Sequence, residues 1–142
     1  TLARKSGACT ALLTCVPCDT EVDHAIVLAT GPELLVGSTR LKAGTATKIA
    51  LNSITTTLFT RLGKVYGNLM VDLRATNDKL RDRALRIVAS CGGLDRAAAA
   101  EVLAEAGGDV KTAIVMHTLG LCVQDASRRL AEAEGHLREV LR

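Results

Sequence analysis

An α/β fold is what the sequence predicts, with a short parallel sheet leading into helices and a small helical bundle after them. Three observations carry that prediction. Ala8 to Val16 and Ala25 to Leu28 are continuous apolar runs that end in turn-rich segments, the pattern of buried strands in a parallel sheet. From about Lys42 onward apolar residues recur at three- and four-residue spacing, which is helical. Between the two patterns lies a loop, Gly31 to Lys48, where open α/β sheets place their ligands, beyond the carboxyl ends of the strands.

Taken in order, Thr1 to Ser6 reads as the last turn of a helix stopped by Gly7. Ala8 to Val16 is the first strand, Pro17 to Asp23 a turn-rich acidic loop, and Ala25 to Leu28 the second strand. A helix from about Lys42 to Arg61 presents Ala46, Ile49, Ala50, Ile54 and Leu58 on one side. Thr55, Thr56, Thr57 and Thr60 lower its intrinsic propensity, so tertiary packing is expected to hold it. In Leu62 to Asp72 the glycines Gly63 and Gly67 interrupt the helical pattern, and Asn68 and Asp72 are expected to satisfy backbone groups rather than touch a ligand. Thr76 or Asn77 caps the next helix, which buries Leu80, Ala84, Ile87, Val88 and Cys91 and stops at Gly92 or Gly93. Its other side carries Lys79, Arg81, Asp82, Arg83 and Arg86, a solvated face. Beyond Gly93, Ala104 to Ile114 lines up with Ala131 to Leu141 as an internal repeat of helix end, glycine turn and new helix. Asp95 and Asp109 are the expected N-caps, and Gly107, Gly120 and Gly135 the stops, giving about four short helices between residues 94 and 142.

Composition bounds the function. Of 142 residues, 48% are hydrophobic and 23% charged, as in a soluble globular protein with room for a real core. Phe59 and Tyr66 are the aromatic residues, so the core is aliphatic and no platform for stacking bases exists. A net charge of +3 asks for no nucleic acid. No apolar run approaches the roughly 20 residues that span a bilayer, and the opening residues lack a secretory apolar segment, so no membrane is expected and a cytoplasmic location is the default. Cys9, Cys15, Cys18, Cys91 and Cys122 are odd in number and irregular in spacing, unlike a disulfide framework. Cys15-Val-Pro-Cys18 has the spacing of a redox pair or half a zinc site, but sits in a loop with no second pair, and reads as an adventitious surface pair. His24, His117 and His136 make no metal set by spacing; His24, beside the second strand, is expected to be structural.

The loop itself favours an anionic, hydroxyl-rich ligand. Gly37 and Gly44 allow close backbone approach, while Ser38, Thr39, Thr45 and Thr47 offer hydroxyls. Arg40, Lys42 and Lys48 supply positive charge, and the helix starting here adds amide donors suited to a phosphate. The alternative is a tight connection whose polar side chains cap the helix.

Glu33 to Lys48, Leu62-Gly-Lys-Val-Tyr-Gly-Asn-Leu-Met-Val-Asp72 and Ala75-Thr-Asn77 closely resemble the N-acetylmuramic acid 6-phosphate etherase family, and also the related, non-enzymatic glucokinase regulatory protein. Both are built on the sugar isomerase (SIS) domain. The resemblance is dense from Gly31 to about Asn77 and looser to Arg142. It implies the second half of a SIS domain, a flavodoxin-like parallel sheet, over residues 1–92, followed by a small ubiquitin-associated-like helical bundle over 93–142. The bundle is expected to be a packing module; ubiquitin binding is not implied. The SIS sheet has about five strands, so its first half is expected from elsewhere, on a longer chain or a second polypeptide.

The family's reaction cleaves the D-lactyl ether of N-acetylmuramic acid 6-phosphate. The open-chain aldehyde acidifies the proton on carbon 2, a carboxylate removes it, lactate leaves carbon 3, and water adds to the alkene. This needs an acid, a base and a phosphate anchor, with no cofactor and no metal. A carboxylate so used benefits from a raised pKa. The family's main acid and base lie upstream of this sequence. Glu33 is the candidate catalytic residue here, with capping of the following helix as its other reading; Ser38, Thr39, Arg40 and Lys42 are candidates for binding the phosphate or lactyl carboxylate. The resemblance further implies a sugar-phosphate substrate and a homodimer. A sugar-phosphate-binding regulator is the competing class, and a thiol redox protein a third.

Overall fold

In the computed structural model, which describes residues 2–73 and 75–142, the two apolar runs become a parallel pair. Helix α1 (Leu2–Lys5) closes at Gly7, whose φ is 76°; Thr1, the first residue of that expected turn, lies outside the described residues. Strand β1 (Ala11–Thr14) pairs in parallel with β2 (His24–Val27), in register from Ala11 opposite His24 to Thr14 opposite Val27. The Asp23 carboxylate fixes that register. One of its oxygens accepts from the Thr10 amide and hydroxyl, each at 2.7 Å, and Arg4 lies 3.5 Å from the other. These contacts, the Thr10 hydroxyl first, hold the Asp23 carboxyl below the usual carboxylate range.

Burial of the strands is where expectation fails. Every residue of β2 is exposed, with Ile26 at 38% and Val27 at 45%, and β1 is at most half-buried. Parallel strands are buried by flanking strands and by layers on both faces. Among the described residues this sheet has two strands, so each keeps an open edge. Helix α2 (Lys42–Arg61) spans the predicted residues, yet Ile49, Ile54 and Leu58 on its apolar side remain 46–62% exposed. The packing expected to hold it is not supplied by the described residues.

The chain forms two compact units, Thr1–Thr56 and Thr57–Arg142, with the boundary inside α2. No described residue of the first unit is buried. The second has its own core. After the end of α2 comes a hairpin of β3 (Val65–Tyr66) and β4 (Leu69–Met70), turned by Gly67 and Asn68 with Gly67 at φ 60°. Helix α3 (Asp78–Gly92) is capped by Asn77, whose side chain accepts from the Leu80 amide at 2.9 Å, and stops at Gly93. Ala84, Ile87 and Val88 are buried as predicted, while Leu80 and Cys91 are half-buried.

Helices α4 (Arg96–Glu105), α5 (Val110–Leu119), α6 (Val123–Glu132) and α7 (Leu137–Val140) follow. Asp95 and Asp109 cap α4 and α5 through the Ala98 and Thr112 amides. Helix α5 is the hub: it touches α3, α4, α6 and α7, and Val110 to Met116 are all buried. The core is aliphatic, including Val71, Val88, Ile114, Val115 and Leu137. Its charged member, Lys111, donates to the Gly135 carbonyl at 3.0 Å and lies 3.5 Å from Asp72, which also pairs with Lys64 at 3.1 Å. Asp72 therefore serves an ion-pair bridge from Lys64, beside the hairpin, to α5; among the described residues its side chain has no bond to the backbone groups expected of it. Burial alone raises its pKa, but Lys64 and Lys111 outweigh that and the net shift is downward.

The internal repeat is real in structure and differs in one detail. After α4 the amides of Gly107 and Gly108 return to the Ala104 and Leu103 carbonyls; after α6 those of Glu134 and Gly135 return to Ala131 and Leu130. Both are Schellman closures, which need a left-handed residue at the first position. Gly107 (φ 64°) fills it in one copy and Glu134 (φ 51°) in the other, so the second stop is Glu134 rather than Gly135.

Candidate functional site beyond the strand ends

Both parallel strands end in the same direction, and the chain beyond them folds into a cleft of about 300 Å³. After β2 the Leu28 amide still bonds the Thr14 carbonyl at 2.8 Å, carrying the ladder one step further. Gly31, at φ 65°, and Pro32 then turn the chain so that Glu33 points back at the start of α2. Its two carboxylate oxygens accept from the Lys42 and Ala43 amides, each at 2.9 Å. Glu33, Thr30, Val36, Thr39, Ala43 and Cys15 are among the residues lining the cleft.

The helix start is thus already served. Lys42 and Ala43 give their amides to Glu33, Gly44 donates to the Thr39 carbonyl at 2.8 Å and Thr45 to that of Leu41 at 3.0 Å. The amides expected to receive a phosphate are bonded within the segment; the anion at the positive end of the α2 dipole is Glu33's own carboxylate. Those bonds, Ala43 first and Lys42 second, with the Lys42 charge, outweigh desolvation and hold the Glu33 carboxyl below its ordinary range. That is opposite to the upward shift useful to a general acid.

Of the five predicted site residues, Glu33 and Thr39 border the cleft. Ser38 is half-buried in the adjacent turn, where Gly37 at φ 80° brings its amide to the Leu35 carbonyl at 2.9 Å. Arg40 is exposed, and the Lys42 ammonium lies near the Gly31 backbone, 3.9 Å from where a β-carbon would stand. Gly44 is closely approached: a β-carbon there would sit 3.2 Å from the Thr39 carbonyl.

Sequence reasoning missed Cys15. It is half-buried at the end of β1, its thiol 3.7 Å from the Ala43 carbonyl and 3.6 Å from the Thr47 hydroxyl, while the Cys18 thiol turns to Thr20 at 3.0 Å. All five cysteines are free. Cys15 belongs to the cleft wall, not to a surface pair; the rule that strand carboxyl ends face the ligand would have marked it. His24, the histidine nearest this loop in sequence, begins β2 and is exposed.

No family model matches the sequence. Among curated proteins, N-acetylmuramic acid 6-phosphate etherase of Deinococcus radiodurans is 60% identical over 120 residues, 84% of this chain and 39% of that protein. The etherases of Nostoc punctiforme and Trichormus variabilis are each 51% identical, over 96% and 98% of the chain and 45% and 46% of their own lengths. The chain is homologous to the N-acetylmuramic acid 6-phosphate etherases. It spans about 39–46% of the length of these relatives. The matches to the Nostoc punctiforme and Trichormus variabilis etherases cover nearly the whole chain, so both of its units take part in the likeness. Among the described residues no helix is long and apolar enough to cross a membrane.

Proposed function

We propose that the chain is part of an N-acetylmuramic acid 6-phosphate etherase, a carbon–oxygen lyase that releases D-lactate and N-acetylglucosamine 6-phosphate in peptidoglycan recycling. The observation that carries this reading is 51–60% identity to etherases over 84–98% of the chain. In it, residues 1–92 are the second half of a SIS domain and 93–142 a ubiquitin-associated-like packing bundle, working as a homodimer in the cytoplasm. The parallel pair with its strand-end cleft supports such a half domain, since the cleft lies where open α/β folds bind ligands.

The cleft is then one wall of the sugar-phosphate site. Thr39 and Ser38 offer hydroxyls, and Arg40 and Lys42 positive charge, to the phosphate or the lactyl carboxylate. Glu33 is ionised at neutral pH and each of its oxygens keeps a second acceptor position, so it serves a sugar hydroxyl as it stands. Its lowered pKa makes it a weak base as it stands, and release from Lys42 and Ala43 would strengthen it. The acid and base of the main steps come from the part of the etherase outside this chain.

The test is D-lactate release from N-acetylmuramic acid 6-phosphate, coupled to lactate dehydrogenase, with this chain alone and with the remaining portion of an etherase joined to it. Release restored by the joined portion is expected. Glu33→Gln should then raise KM if the residue binds a hydroxyl, or lower kcat if it moves a proton. Continued silence of a folded, joined protein that still binds the sugar phosphate would replace the etherase reading with that of a regulator.

A further inference from the structure

The second unit holds a cavity of its own, about 240 Å³, unconnected with the sequence motifs of the loop. On one side are Gly63 and Gly67, both at positive φ (66° and 60°); on the other are His136, Arg138 and Arg142. Gly63 is fixed by close approach, since a β-carbon there would lie 3.0 Å from the Gly135 carbonyl and 3.1 Å from the His136 ring. Nothing stands within 4 Å of the corresponding position at Gly67, which leaves the cavity open on that side.

The charges of this cavity are unanswered. Like Arg40, Arg61, Arg83 and Arg129, Arg138 and Arg142 have no side-chain carboxylate within ion-pair distance among the described residues; what sets these two apart is that both line one cavity. The two guanidiniums are exposed and stand four residues apart in sequence beside an imidazole, so their donors are open to an anion that enters. Glu139 also lines the cavity and pairs with neither arginine. The walls do not depend on these cations. The bridge from Lys64 through Asp72 to Lys111, and the bond from Lys111 to Gly135, tie together the hairpin, α5 and the turn between α6 and α7. Lys111 is only 11% exposed in that bridge.

We propose that this cavity is an oxyanion site for a phosphomonoester on a small metabolite. Two guanidinium forks and an imidazole match the several acceptor oxygens of a phosphate. The volume falls just under the range of about 300–1,000 Å³ typical of ligand pockets, which suits a compact sugar phosphate rather than a nucleotide. The cavity shares no lining residue with the strand-end cleft, and the proposal stands whether or not the etherase reading does.

The experiment is a titration of the 142-residue chain with inorganic phosphate at constant ionic strength, followed by amide NMR. Saturable shifts centred on Gly63, Gly67, His136 and Arg138 are expected, with affinity falling about tenfold or more in the Arg138→Gln/Arg142→Gln double variant. Shifts that grow linearly without saturation, that centre on residues 31–48, or that persist with unchanged affinity in the double variant would overturn the proposal. The map on the unaltered chain decides the matter by itself if the double variant fails to fold.

Discussion

The two units of this chain obey the same sequence rules and reach different ends. In the second unit the apolar stripes beyond the end of α2 find partners: Ile87 and Val88 of α3, Leu103 of α4, Leu130 of α6 and Leu137 of α7 gather around a buried α5. In residues 2–56 apolar residues are nearly as frequent, and none is buried; Leu34, Leu35 and Val36 are 62–100% exposed. The difference teaches that periodicity reports which face wants burial, while burial itself depends on what else is present. A unit of strands with open edges and an uncovered helix face holds its shape by hydrogen bonds such as Asp23 to Thr10 and Glu33 to α2, not by a core.

The sharpest break of this comparison is a matched pair of truncations. Ile114→Ala, in the core of the second unit, should cost about 2–5 kcal/mol in urea unfolding, whereas Ile49→Ala on α2 should stay within about 0.5 kcal/mol. Equal costs would show that the stripe of α2 is packed after all. Gly63→Ala should follow, at about 1–3 kcal/mol, because the residue has both a left-handed φ and the Gly135 carbonyl in the way; a shift in Tm well below that of Ile114→Ala checks it.

Smaller, and opposite in sign, is Glu134→Gly. The repeat puts glycine at the matching position of the first copy, so the change should raise stability by about 0.5–1 kcal/mol in the same unfolding assay, and Gly107→Ala should lower it by a like amount. The smallest effect is local to the first unit. Glu33 has a folded-state pKa below its unfolded value of about 4.3, so its stabilisation is complete above that pH and is lost as pH falls through the folded value. Protection of the Lys42 and Ala43 amides, corrected for intrinsic exchange rates, should therefore decline below about pH 4 in the unaltered chain and be low and flat in Glu33→Gln.

Much of this was legible in the sequence because it is locally encoded. The caps Asn77, Asp95 and Asp109, the stop at Gly120 and the extent of α2 all follow from residues within one turn. The hairpin at Gly67 was not legible, since two-residue strands are too short for alternation to show. Glu134 hid behind Gly135 because a glutamate in a left-handed conformation contradicts its own propensity and is imposed by the Schellman bonds around it. At the site, the loop was found and capping of α2 was one of the two readings given for Glu33, but sequence did not choose between them. Composition marked Glu33, Thr39 and the cations, while the pairing of Glu33 with two amides nine and ten residues on, and the place of Cys15 in the cleft wall, depend on how the strand ends meet α2.

Native-state hydrogen exchange on the 142-residue chain tests the central contrast most directly. Amides of α5, between Val110 and Leu119, should exchange only through global unfolding, and those of β1, β2 and residues 45–56 of α2 through much cheaper local opening. Protection of the strands equal to that of α5 would contradict the account, by showing that the first unit possesses a stable core of its own.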